Sequence, residues 1–129
     1  GVIFGSMFLG GVKGLSPIYT LDCSNFTRIF RGSLEAIKTR GKAAVGDKTM
    51  VDALEPAVIA MENAQQEDLI SLLNIAANAA AEGVENTKKY MAKFGRAKSL
   101  MERAIGYQDA GATSVSIIFT AMHDYLLTL

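Results

Sequence analysis

Tryptophan is missing from this sequence, cysteine and histidine occur once each, and proline occurs twice. One cysteine, Cys23, excludes an internal disulfide and a cysteine-built zinc cage, and it fits a reduced, cytoplasmic setting. His123 has no second histidine or cysteine near it, so a surface or packing role suits it better than metal ligation. Scarce proline leaves long stretches free to be helical. Charge of one sign is also lacking: 13 Lys and Arg face 13 Asp and Glu, for a formal net charge of zero. Bulk electrostatics then gives no attraction to nucleic acid or to an acidic membrane, and neither is expected as a partner. The apolar run Val2 to Leu9 is too short to span a bilayer and has no basic residue ahead of it, as a signal peptide would. Walker A, a strand-linked GxGxxG and a GxSxG elbow are all absent. Any nucleotide must therefore be held by another architecture.

What is present is apolar and helical. Half the residues are hydrophobic, enough for a sizeable core in one compact domain over residues 1–129. Val2 to Leu9 reads as a packed helix, and a buried helix at residue one suggests a natural N-terminus upstream. Phe26, Ile29, Phe30, Leu34 and Ile37 recur at steps of three and four behind Thr20 or Asp22 as cap. Val51, Leu54, Val58 and Met61 repeat that spacing behind Thr49-Met50-Val51-Asp52, a capping box with Asp in place of Glu. Pro56 falls inside, where the helix should kink or restart. Leu69, Leu72, Leu73, Ala76, Ala80 and Val84 mark a long helix from Glu67 to about Ala92. Val115, Ile118, Phe119, Met122 and Leu126 mark a last one from about Ala112, with Thr113 and Ser114 as candidate caps. No segment alternates with a period of two, so the expected fold is all-α, an antiparallel helical bundle or barrel.

The glycine-bearing connections hold the chemistry. Lys38, Arg40, Lys42 and Lys48 surround the loop at Gly41 and Gly46, with Asp47 as the one acid among them. Lys88, Lys89, Lys93, Arg96, Lys98 and Arg103 are opposed by Glu102 alone. Glycine lets backbone approach an anion, free N–H groups at helix starts donate to it, and Arg offers a planar fork. Lysines on a helix face are ordinarily solvated surface, whereas Arg96 follows Gly95 at a helix break and is balanced between ligand contact and a surface role. Among the methionines, Met50 is singled out because it starts a helix directly after a basic glycine loop.

Taken together, Arg40-Gly41-Lys42, then Gly46-Asp47-Lys48-Thr49-Met50 with Asp52 and Pro56, resemble the central motif of the nucleotide-binding subunit of the dihydroxyacetone kinases. Gly95-Arg96-Ala97, Glu102-Arg103, Ile105-Gly106 and Gln108-Asp109-Ala110-Gly111-Ala112-Thr113-Ser114 resemble that family's C-terminal motif in the same order. Gly1 to Leu9 looks like its glycine-led helix, so the resemblance covers essentially the whole chain. It implies an antiparallel barrel of helices, incomplete at its N-terminus, with ADP or ATP clamped across loops at one end. The implied nucleotide contacts are Gly41, Met50, Arg96, Asp109, Ala110 and Gly111. Gly41 would admit close backbone approach, Met50 would cover a base, Arg96 would neutralise phosphate, and Asp109 to Gly111 would enclose the nucleotide. Asp47 and Lys48 belong to the motif as loop-shaping residues. The family's Mg2+ carboxylates lie in an upstream aspartate-rich loop outside this sequence, so no metal ligand and no catalytic residue is assigned within it. Ala110 stands where the family commonly has Pro, Tyr107 where it often has His, and Lys98 where it often has Ser.

The implied activity is a kinase or phosphotransferase step. Phosphate would pass to dihydroxyacetone bound covalently on a partner subunit, and a phosphocarrier of the phosphoenolpyruvate-dependent system would recharge the resident ADP. Exchangeable ATP is the other branch. A fatty-acid kinase domain is disfavoured by the intact Gly46 to Met50 motif. A non-catalytic helical scaffold is disfavoured by Gly41, Arg96 and Asp109. Self-association, with copies covering one another's exposed face, is compatible with either branch.

Overall fold

A computed structural model describes residues 2–12, 21–65, 67–93 and 105–129. Within them lie α1 (Val2–Val12), α2 (Cys23–Gly41), α3 (Val51–Glu62), α4 (Leu69–Thr87) and α5 (Ala110–Leu127). Among the described residues there is no strand, so the all-α expectation holds. No helix there is long and apolar enough to cross a membrane.

Successive helices α2 to α5 run antiparallel, as their cross-links show. Lys38 of α2 pairs with Glu55 of α3 at 2.8 Å, while Arg31, two turns earlier, reaches Glu62 at the far end of α3 with Nε–Oε2 2.9 Å. Thr87, the last residue of α4, accepts from the backbone N–H of Asp109, the residue that caps α5. The C-terminal ends of α2 and α4 and the N-terminal ends of α3 and α5 therefore share one end of the bundle. Helix α1 lies on α2, with Gly10 against Gly32 and Ala36. Met7 is buried in that contact region while Leu9 and Val12 stay exposed.

The predicted apolar positions supply the core. Leu34, Ile37, Val51, Leu54, Val58, Met61, Leu72, Leu73, Ala76, Ala80, Val115 and Phe119 are all buried in one cluster. Phe26, Phe30 and Phe119 form a chain of tilted rings with centroids 4.9 and 5.0 Å apart, which binds α2 to α5.

Several boundaries differ from the sequence expectation, each for a local reason. Asp22 caps α2, accepting from Asn25 N at 2.7 Å. Thr20, the other candidate, lies outside the described residues. Helix α3 runs through Pro56 as one element and does not restart there. Pro56 has no N–H to give the Asp52 carbonyl four residues earlier, and α4 comes so close at that point that a Cβ on Gly83 would overlap the same oxygen. Helix α4 starts behind Asp68, which accepts from Ser71 N at 2.7 Å, and stops at Thr87 and not near Ala92. Its last carbonyls are taken by tertiary partners: Thr87 O accepts from Lys48 Nζ at 2.6 Å and Lys88 O from Gly106 N at 2.6 Å. Helix α5 begins two residues before Ala112, because Asp109 caps it by accepting from Ala112 N at 2.9 Å. Thr113 and Ser114 instead donate their hydroxyls to the carbonyls of Asp109 and Ala110, inside the first turn.

Candidate functional site

At the shared loop end, residues 42–50 form a tight, internally bonded turn. Lys42 takes a left-handed conformation (φ 54) directly after Gly41 and returns its N–H to Lys38 O, closing α2. Thus Lys42, and not Gly41, carries the αL residue that ends the helix; Gly41 is its half-buried final residue. Ala44 N donates to Asp47 Oδ2 at 3.0 Å, and Asp47 N returns to Ala44 O at 3.1 Å. Asp47 O accepts from Lys93 N at 3.2 Å, which fastens the turn to the segment after α4.

Two buried charges lie beneath this turn. Asp52 is almost fully buried, and its carboxylate accepts from Gly46 N and Thr49 N, both at 2.7 Å. Thr49 Oγ1 accepts from Val51 N at 3.1 Å and not from Asp52 N, so only the Asp52 half of the expected capping box forms just ahead of α3. Burial pushes the Asp52 carboxyl above its ordinary value, against the two backbone donors that favour the carboxylate. Lys48, also buried and left-handed (φ 62), sends its ammonium to the carbonyls of Thr87 and Tyr107. Burial pushes this ammonium below its ordinary value, opposed by the charges of Asp109 and Asp52.

The other jaw is the turn from Ile105 to Asp109 and the start of α5. Asp109 N donates to Thr87 Oγ1 at 2.9 Å. Gly111 sits directly against Met50: a Cβ placed on it would lie 3.4 Å from Met50 Cβ and 3.5 Å from Met50 N. Such a Cβ would be in ordinary van der Waals contact with Met50 and would approach the Asp109 carboxylate more closely, at 3.2 Å. The N-terminal ends of α3 and α5, each a positive dipole end, therefore converge beside the 42–50 turn, although the N–H groups of Val51, Asp52 and Ala53 in α3 are already bonded to Thr49 and Met50.

Of the residues expected to contact a nucleotide, Gly41, Met50, Asp109, Ala110 and Gly111 are all placed at this end. Gly111 faces Met50 with room for about a Cβ between them, Ala110 is exposed, and Gly41 borders the 42–50 turn. Arg96 lies outside the described residues, as do Lys98, Glu102 and Arg103. Met50 is only 6% exposed, so its side chain belongs to the core cluster in this structure. The basic groups are less uniform than the sequence suggests, because folding brings acids to them. Lys38 pairs with Glu55 at 2.8 Å, Lys88 with Glu85 at 3.0 Å, and Lys93 with Asp47 at 3.9 Å. His123 is half-buried on α5, with Nδ1 3.2 Å from Asp124. Thr87 was not legible as a site residue, since nothing in Glu85-Asn86-Thr87-Lys88 marks it. Only the antiparallel return of the chain gives it two partners.

The carboxylates nearest this end are already engaged, Asp52 by two N–H groups, Asp109 by Ala112 N and Asp47 by Ala44 N. Among the described residues no group of three or more His, Cys, Asp or Glu could hold a metal. These side chains do not by themselves fit Mg2+.

An all-helical domain with two helix starts converging on a glycine-bearing loop defines the class, and the chain belongs to the DAK2 domain family, which matches residues 1–124. Among curated proteins it is 38% identical over 122 residues to the ADP-binding subunit DhaL of PEP-dependent dihydroxyacetone kinase 1 from Listeria innocua, covering 95% of this chain and 57% of that protein. It is 34% identical over 117 residues to the Escherichia coli ADP-binding subunit DhaL, covering 89% of this chain and 56% of that protein. It is also 35% identical over 126 residues to a D-erythrulose kinase of Mycolicibacterium smegmatis, covering 96% of this chain and 22% of that protein. The chain thus spans about half the length of the two DhaL relatives.

Proposed function

We propose that this chain is the nucleotide-binding part of a dihydroxyacetone kinase, holding ADP at the loop end formed by residues 41–50 and 105–111. Phosphate passes from there to dihydroxyacetone on a partner subunit, and a phosphoenolpyruvate-dependent phosphocarrier recharges the ADP, in a cytoplasmic setting. The observation that carries this is the convergence of the α3 and α5 N-termini at Met50 and Gly111. Two helix starts at one point supply positive dipole ends for a phosphate chain, and the head of α5 adds N–H donors. The names of the DhaL relatives support ADP as the occupant and phosphoenolpyruvate as the ultimate donor.

In this scheme Gly41 and Gly111 let the nucleotide approach the protein backbone closely, and Met50, buried in the core cluster, supports from behind the wall on which a base rests. Ala110 and Gly111 present N–H groups at the head of α5. Asp109 contributes through its backbone and its cap, since a carboxylate beside phosphate is repulsive and its Oδ2 is already bonded to Ala112 N. Arg96 neutralises phosphate charge. The carboxylates that would hold Mg2+ belong to the upstream part that the family resemblance implies. The similarity to D-erythrulose kinase favours a second reading, in which exchangeable ATP serves a four-carbon ketose.

Calorimetric titration of the full-length protein with ADP and Mg2+ tests the proposal. Saturable one-site binding is expected, with Arg96→Ala weakening it by about 1.5–3 kcal/mol, the range for hydrogen bonds to charged groups. Lys89→Ala should do much less. Equal losses from both would mean that diffuse charge holds the nucleotide, and no binding by wild type would end the proposal. Phosphoryl transfer from ATP alone, without a phosphocarrier, would select the second reading.

A further inference from the structure

Lys48 has an unusual combination of features. Its backbone sits at φ 62, a region where glycine would be free of strain, yet a lysine occupies it. Its ammonium is buried, at 2% exposure for the residue, and such a burial is unfavourable unless the donors are satisfied. Shaping the loop would require neither feature, because a glycine could make the same turn. What the side chain adds is reach: it bonds to the carbonyl of Thr87, 39 residues on, and to that of Tyr107, 59 residues on.

These two carbonyls belong to the two pieces that must be held together. Among the described residues, the 105–109 turn is tied to the rest of the fold through Gly106 N to Lys88 O, Asp109 N to Thr87 Oγ1, and Tyr107 O to Lys48. The first two ties go to the end of α4, and only Lys48 connects the turn to the 42–50 segment. Met50 lies two residues beyond Lys48 and receives Gly111. One short segment therefore holds the 105–109 turn through Lys48 and faces its continuation at Gly111 through Met50.

We propose that Lys48 is a positioning residue: its ammonium fixes the spacing between Met50 and the Asp109 to Gly111 rim, and thereby sets nucleotide affinity without touching the nucleotide. This rests on the nucleotide site proposed above. The apparent dissociation constant is the intrinsic one divided by the fraction of molecules whose rim is closed, so it rises as the open form becomes appreciably populated.

The test uses the full-length protein with Lys48→Met, hydrogen exchange read by mass spectrometry, and calorimetry with ADP and Mg2+. Exchange in residues 105–112 should speed up on the order of tenfold or more while the core of α3 and α4 keeps its protection. The ADP dissociation constant should rise in inverse proportion to the closed fraction that remains, and saturating ADP should restore the protection. Thr87→Val removes the acceptor for Asp109 N, nearly preserves side-chain volume, and should give the same local signature if Lys48→Met does not fold. Unchanged exchange in 105–112 in both variants would overturn the proposal. So would a loss of affinity without faster exchange, which would place Lys48 on the nucleotide itself. If the wild type binds no ADP, the functional reading falls separately. Local loosening on loss of Lys48 would then uphold the tie, and its absence would refute it.

Discussion

At Gly83 a close helix contact of the bundle rests on a missing side chain. A Cβ there would overlap the Asp52 carbonyl oxygen and come within 3.0 Å of Ala53 Cα, both of them backbone atoms that cannot turn aside. The oxygen concerned is the one that Pro56 deprives of its usual helical donor, so a proline in α3 and a glycine in α4 accommodate each other. Gly83→Ala would have to push α3 and α4 apart, and should destabilise the protein by about 1–3 kcal/mol despite its better helix propensity. A fall in the urea midpoint at unchanged slope would show this; a midpoint at or above wild type would mean that the helices separate without penalty.

Among the elements, α2, α4 and α5 all start behind an aspartate whose carboxylate accepts a backbone N–H three residues on. Replacing such a cap by alanine typically removes about 1 kcal/mol. Asp68→Ala and Asp109→Ala should both show that loss in denaturant melts, yet differ in consequence. Asp68 stands at the end of the bundle opposite the candidate site, whereas Asp109 heads the rim that faces Met50. Only Asp109→Ala should also weaken ADP binding, and an equal effect from Asp68→Ala would detach the rim from the site. Asp22 was legible as a cap because an apolar helical pattern begins just behind it. Asp109 was legible only as part of a nucleotide motif, since Thr113 and Ser114 offered equally good caps to a reader of the sequence. The choice fell to Thr87, which accepts the Asp109 N–H and so fixes where α5 begins.

For the molecule as a whole, stability in acid should depend on carboxylates held below their ordinary values. Glu62 is lowered chiefly by its hydrogen bond from Arg31, and Asp68 chiefly by the backbone N–H of Ser71. Their contribution is complete above the unbonded values of 4.5 and 3.8 and is lost as pH falls through the lower folded values. Asp52, raised by burial, has the opposite sign: it favours folding most when protonated and loses that advantage as pH rises through its raised value. Glu62→Gln should therefore cost stability near neutral pH and almost nothing in strong acid. The effect should be at most about 1 kcal/mol, because the pair is partly exposed and screened. Urea midpoints of both proteins at about pH 6 and about pH 3 check it; a gap that widens in acid would reverse the sign.

The sequence by itself determined that the protein is helical, which faces are buried and which loops carry the family's motif, because apolar spacing and glycine-bearing turns are local properties of the chain. Leu54, Val58, Met61, Leu72 and Phe119 are buried as their spacing requires. The tertiary structure alone decided which charges are buried, where α4 stops and which residues join the two jaws. Lys48 and Lys38 look alike in sequence, as basic residues near one glycine loop. Folding leaves Lys38 half-buried beside Glu55 and seals Lys48 beneath carbonyls that come from distant parts of the chain. A side chain's partners across the bundle depend on how antiparallel helices return to the same end, and no local spacing encodes that.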